Sequence, residues 1–92
     1  MTITRTVTAT VTGRVQGVWF RGWTRQEALR LGLEGWVRNE VEGSVMACLS
    51  GPAERVSEMV ALLHKRPPAA RVDAVEVRAS SAPTTQGFVV LR

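Results

Sequence analysis

The chain has one cysteine, Cys48, so no internal disulfide forms. That fits a reducing compartment. It has one histidine, His64, and its carboxylates are dispersed, so no recognisable metal-ligand set is present and neither metal nor cofactor is expected. No apolar run approaches the roughly 18 residues of a membrane span. The opening "MTITRTVTAT" lacks the apolar centre of a signal peptide. A cytoplasmic location without membrane contact is the expectation. There are no repeats, no low-complexity segments and no run of five basic residues.

What is present is an ordinary globular composition. The 92 residues suit a single domain over 1–92, 45% are hydrophobic and 22% are charged. The starting Met1 points to a stand-alone protein. Net charge is +4, and eleven of the twelve basic residues are arginine. A basic balance favours an anionic partner without separating nucleic acid from a small phosphorylated molecule. Cys48 lies in the apolar "VMACLS" and reads as a small buried hydrophobe rather than a reactive thiol.

Val7, Ala9 and Val11 alternate with Thr6, Thr8, Thr10 and Thr12, the pattern of a half-buried strand ending at Gly13. From about Gly22 to Leu31 the pattern is helical. Phe20, Thr24, Ala28 and Leu31 share one stripe, and Gly32 is placed as a C-terminal cap. "LEGWVRNEVEGSVMACLSG" reads as two strands joined near Glu42-Gly43.

Gly51-Pro52 is expected to open a second helix with Val56, Met59, Val60 and Leu63 on its apolar face. Glu54 lies near its start and His64, Lys65 and Arg66 near its end; Pro67-Pro68 stops it. "RVDAVEVRAS" is a fourth strand, "SSAPTTQ" a polar loop and "GFVVLR" a short final strand. The order predicts an α+β, ferredoxin-like βαββαβ sandwich. Its antiparallel sheet carries two helices on one face, with a short extra C-terminal strand. Many unrelated functions use that fold, so function has to come from a site.

Two stretches carry the chemistry. "GRVQGVWFR" joins a strand to a helix. Glycines let a backbone curl so that several N–H groups converge on an anion, and a helix N-terminus adds its own. Arg21 stands at that junction, and its planar fork pairs with two phosphate oxygens. The glycine spacing is not that of a nucleotide P-loop, and the lysine followed by Ser or Thr is missing. The competing local reading is an ordinary glycine-bearing turn with Arg21 facing solvent. In "GWVRNEVEG", Asn39 stands beside a turn. It is either a turn residue or an amide that holds water, since one side chain both donates and accepts.

The two stretches resemble the signatures of the acylphosphatase family. "VTGRVQGVWFR" is similar to its strand followed by G-x-V-Q-G-V-x-F-R. "GWVRNEVEGSVMACLSG" is similar to its second motif, in which an aromatic and an asparagine precede G-x-V and a later glycine. The resemblance extends through "GLEGWVRN" and "GFVVLR" over essentially the whole chain. It implies hydrolysis of acyl phosphates to a carboxylate and inorganic phosphate, the latter both product and inhibitor. By position, Arg21 would bind the phosphoryl group and Asn39 would orient the attacking water. The loop of Val15, Gln16, Gly17, Val18, Trp19 and Phe20 would supply backbone amides. A monomer acting on a small molecule, without nucleic acid, is expected.

The remaining residues receive plainer readings. His64 is a solvated or capping residue, and Glu40 and Glu42 face solvent with a secondary role in tuning local charge. Trp19, Trp23 and Trp36 serve as core or pocket wall, because no basic stripe runs beside them. The alternative function is a non-catalytic phosphate- or RNA-binding ferredoxin-like module. A third is an interaction domain from a larger carbamoyl-phosphate-handling protein.

Overall fold

Residues 3–65, 69–83 and 86–91 are described by a computed structural model. Strand β1 (Thr4–Arg14) buries Val7, Ala9 and Val11 and turns its threonines to the opposite face, as alternation requires. Helix α1 (Phe20–Arg30), strands β2 (Glu34–Asn39) and β3 (Val45–Pro52), helix α2 (Ala53–Lys65), strand β4 (Arg71–Ala79) and strand β5 (Phe88–Val90) follow.

The sheet order is β4-β1-β3-β2-β5. The four longer strands pair antiparallel, as expected, whereas β5 runs parallel to β2. The chain leaves β4 at one edge and rejoins the sheet at the other, which makes the whole sheet mixed. Arg25 fixes this edge strand, its Nε donating to the Phe88 carbonyl at 3.1 Å.

Helix α1 lies against β2 and β5, α2 against β1, β3 and β4, and the helices touch each other. Both therefore cover one face. Between the layers pack Phe20 and Ala28 of α1 and Val56, Met59 and Leu63 of α2. They meet Val7, Ala9, Val11, Val37, Val45, Ala47 and Leu49 of the sheet. Val60 is partly buried at the margin of this face.

The end of α1 was legible. Gly32 has φ 71°, Gly32 N–H donates to Leu29 O at 3.1 Å and Leu33 N–H to Ala28 O at 2.9 Å. That is a Schellman closure, which needs the left-handed residue glycine supplies most readily. The starts of both helices differ from expectation, and β1 runs one residue past Gly13. Helix α1 begins at Phe20 rather than near Gly22, because Trp23 N–H already reaches Trp19 O at 3.1 Å. Gly51-Pro52 does not open α2 but ends β3: Pro52 still pairs with Thr4, and the helix starts at Ala53. Arg66 and Pro67-Pro68 lie outside the described residues.

On the uncovered face Cys48 stands in register between Thr8 and Trp36 and is buried there. Burial pushes its thiol pKa up, which keeps it protonated and inert, as its apolar setting implied. Among the described residues no helix is long and apolar enough to cross a membrane.

Candidate active site

Strands β1 and β2 flank β3 and are both antiparallel to it, so they run in the same direction. Their C-terminal ends therefore reach the same edge of the sheet. The register is specific: Val45 of β3 pairs with Val11 on one side and Asn39 on the other. Two strand spacings, roughly 10 Å, separate those partners. The loop after β1 and the hairpin after β2 thus emerge side by side. A register shift between Thr12 and Gly13 precedes the loop.

The loop is anchored by its side chains and leaves its backbone free. Val15 and Phe20 are each 1% exposed in the core, and Val18 is partly buried against it. Gly17 (φ 75°) and Trp19 (φ 63°) alternate with residues of negative φ. Such alternation turns successive N–H groups toward a common point, the geometry of an anion nest. From Gln16 to Gly22 none of these backbone groups donates to a backbone carbonyl among the described residues. Trp19 occupies the N-cap of α1 but supplies no capping side-chain hydrogen bond, and the first turn holds no acidic residue. The helix start is left as a cluster of unpaired donors with the positive end of its dipole. The side chain of Arg21, half-buried in this first turn, makes no ion pair or hydrogen bond among the described residues.

Gln16 fastens the loop to the hairpin. Its Nε2 donates to the Glu40 carbonyl at 2.8 Å and to the Ser44 carbonyl at 2.9 Å. Those carbonyls frame the β2–β3 turn, which Glu40 N–H closes onto Ser44 O at 2.8 Å and Gly43 N–H onto Glu40 O at 3.1 Å. The turn is thus built from backbone groups. The buried Ser44 hydroxyl donates to the Glu42 carboxylate. That bond, with backbone hydrogen bonds adding to it, holds the Glu42 carboxyl below its ordinary range.

Asn39 ends β2 on the same face as the buried Val37, toward α1. Its Oδ1 is buried and has no hydrogen-bond partner among the described residues. A buried acceptor left unpaired costs about 1–3 kcal/mol. Turn chemistry does not account for it, because the turn closes without that oxygen. The other such atom is the Thr24 hydroxyl, inside the core stripe of α1.

The sequence profile described as Acylphosphatase matches residues 7–90. The chain belongs to the acylphosphatase family. An acylphosphatase of Rhizorhabdus wittichii is 53% identical over 78 residues, covering 85% of this chain and 79% of that relative. One from Rhizobium meliloti is 55% identical over 83 residues, covering 89% and 87%. The crystal structure of acylphosphatase from Bacillus subtilis matches with a TM-score of 0.91 at 30% identity, covering 98% of this chain and all (100%) of that one. The fold of this acylphosphatase family member is the ferredoxin-like one read from its pattern.

The structure changes the plainer readings at three residues. Glu40 does not face solvent: it is half-buried and its carboxylate pairs with Arg38 at 3.1 Å. Trp19 loses only the core half of its reading, core or pocket wall, because it is 63% exposed at the edge of the nest. Trp36 is half-buried on the uncovered sheet face with the Arg38 guanidinium 4.7 Å above its ring. Trp23 does pack on the core, its ring 5.5 Å from Phe20, and His64 is exposed in the last turn of α2. Sequence reasoning missed the Gln16 side chain and Ser44. Gln16 entered only for its backbone, because nothing local announces partners 24 and 28 residues away.

Proposed function

We propose that this acylphosphatase family member hydrolyses acyl phosphates at the junction of the Gln16–Gly22 nest and the Asn39 hairpin. The observation that carries the reading is the unpaired Asn39 Oδ1 beside a backbone already arranged for an anion. The nest amides and the Arg21 fork hold the phosphoryl oxygens. Asn39 Oδ1 accepts a hydrogen from one water and fixes its oxygen in line with the scissile bond.

That water attacks phosphorus. The bond from phosphorus to the acyl oxygen breaks, and the carboxylate departs with the electron pair. The leaving group has the basicity of a glutamate side chain, pKa about 4.3, so it needs no general acid. Charge stabilisation and positioning are most of what such a transfer requires. The proton released by the water passes to a phosphoryl oxygen, giving dihydrogen phosphate and a carboxylate. The reading extends to a monomeric, single-domain enzyme of the cytoplasm that acts on small molecules without nucleic acid or membrane.

The reading is tested by incubation with benzoyl phosphate while following phosphate release. Among the described residues no group of three or more His, Cys, Asp or Glu gathers as a metal site. Release is therefore expected to persist in the presence of a strong chelator, and inorganic phosphate should compete with substrate. Loss of activity on chelation, restored by one added metal, would contradict the proposal.

Gln16 gives a second expectation. Displacing a reacting group by about 1 Å can cost up to a hundredfold in rate. Gln16→Met keeps the side-chain length and removes both donors, so turnover should fall by about tenfold or more. If Gln16 acts by placing the hairpin, the same change in an Asn39→Ala background should cost less than about threefold. Equal losses in the two backgrounds would show that Gln16 does not act through Asn39.

A further inference from the structure

Trp19 combines two unfavourable features at the edge of the nest. It is the only non-glycine residue with positive φ among the described residues, at φ 63° and ψ 24°. That left-handed conformation crowds a side chain and suits glycine. Its large apolar ring is also 63% exposed. Neither feature serves the core, which Val15 and Phe20 already anchor. The ring's place is set by its neighbour. A Cβ at residue 22 would lie 2.2 Å from the indole Nε1, so Gly22 leaves the room that the ring occupies over the first turn of α1.

The opposing loop repeats the feature. Val41 is 100% exposed and follows Glu40, whose carbonyl lies 2.8 Å from Gln16 Nε2. The two loops clasped by Gln16 therefore each present one apolar side chain to solvent. A strained backbone and exposed apolar surface at a binding site point to a ligand that uses them.

We infer that Trp19, with Val41 exposed on the adjoining hairpin, forms a platform for the apolar part of the acyl group. The chain then favours acyl phosphates with an aromatic or bulky hydrocarbon group over acetyl phosphate. This rests on the phosphoryl site proposed above. With phosphorus held in the nest, the acyl group begins one oxygen away and must leave past the nest's rim. An aromatic acyl group can stack on the indole face, whereas a single methyl gains little.

The test compares kcat/KM for benzoyl phosphate and acetyl phosphate in the parent, Trp19→Gly, Trp19→Phe and Val41→Ser. Glycine suits the left-handed backbone, so the Trp19→Gly chain keeps the nest, and inhibition by inorganic phosphate reports that it has. The benzoyl-to-acetyl ratio is expected to fall about tenfold in Trp19→Gly, equivalent to about 1.4 kcal/mol. It should fall less in Val41→Ser and stay close to the parent's in Trp19→Phe. A ratio within about twofold of the parent's in Trp19→Gly overturns the platform while leaving the phosphoryl site intact. A parent that releases phosphate from neither substrate overturns the platform and the proposed function together.

Discussion

Asn39→Ala is expected to lower turnover by about a hundredfold or more, a loss of at least about 2.7 kcal/mol of transition-state stabilisation. Inhibition by inorganic phosphate should stay within about twofold of the parent. The two readouts separate because the amide oxygen is assigned to the water and not to the phosphoryl group. Asn39 ends β2 with an unpaired buried Oδ1, while the adjoining turn closes through Glu40, Gly43 and Ser44 backbone groups. Removing that oxygen takes away no hydrogen bond of the folded chain and relieves an unpaired buried acceptor, so the thermal unfolding temperature should not fall. Turnover within about threefold of the parent would remove Asn39 from the mechanism. A fall in turnover matched by loss of the folded state would make it a structural residue.

Arg21→Ala is expected to damage both binding and turnover. In the proposed mechanism Arg21 holds the phosphoryl group before the reaction and while charge redistributes during it, so KM and the phosphate inhibition constant should rise as kcat falls. Losing a charge-assisted, bidentate contact in a preorganised site costs on the order of a hundredfold to a thousandfold in rate. Arg21→Lys should recover little, because an ammonium cannot reproduce the fork. Arg21 makes no ion pair with the described carboxylates, so its removal leaves no buried charge stranded. Kinetics and phosphate inhibition on folded samples check this; near-parental kcat/KM in Arg21→Lys would show that the bidentate geometry is dispensable.

The fold was legible because its signals are local and agree with one another. Val7, Ala9 and Val11 alternate at strand period, the α1 stripe runs at helical period, and Gly32 marks the helix end by a conformation other residues resist. The boundaries that moved lie where tertiary pairing decides. Pro52 stays in β3 because Thr4 of β1 is beside it, which no window around Gly51 reveals. The parallel pairing of β5 likewise depends on which edge of the sheet remains open.

At the site, the motif residues were legible and their support was not. Gly17 announces a left-handed turn, but Trp19 in the same conformation gives no such sign. The clasp from Gln16 to Glu40 and Ser44 joins segments that only the sheet register brings together. Glu40 read as a solvent-facing charge because it stands one residue past the end of β2, where strand alternation no longer says which way a side chain points; its partner is Arg38.

The central claim is that water held at Asn39 attacks phosphorus in the nest. Hydrolysis of benzoyl phosphate in water enriched in oxygen-18, with both products analysed by mass spectrometry, tests it directly. The account predicts one labelled oxygen in the inorganic phosphate and none in the benzoate. Label in the benzoate would mean attack at the carbonyl carbon and would contradict it.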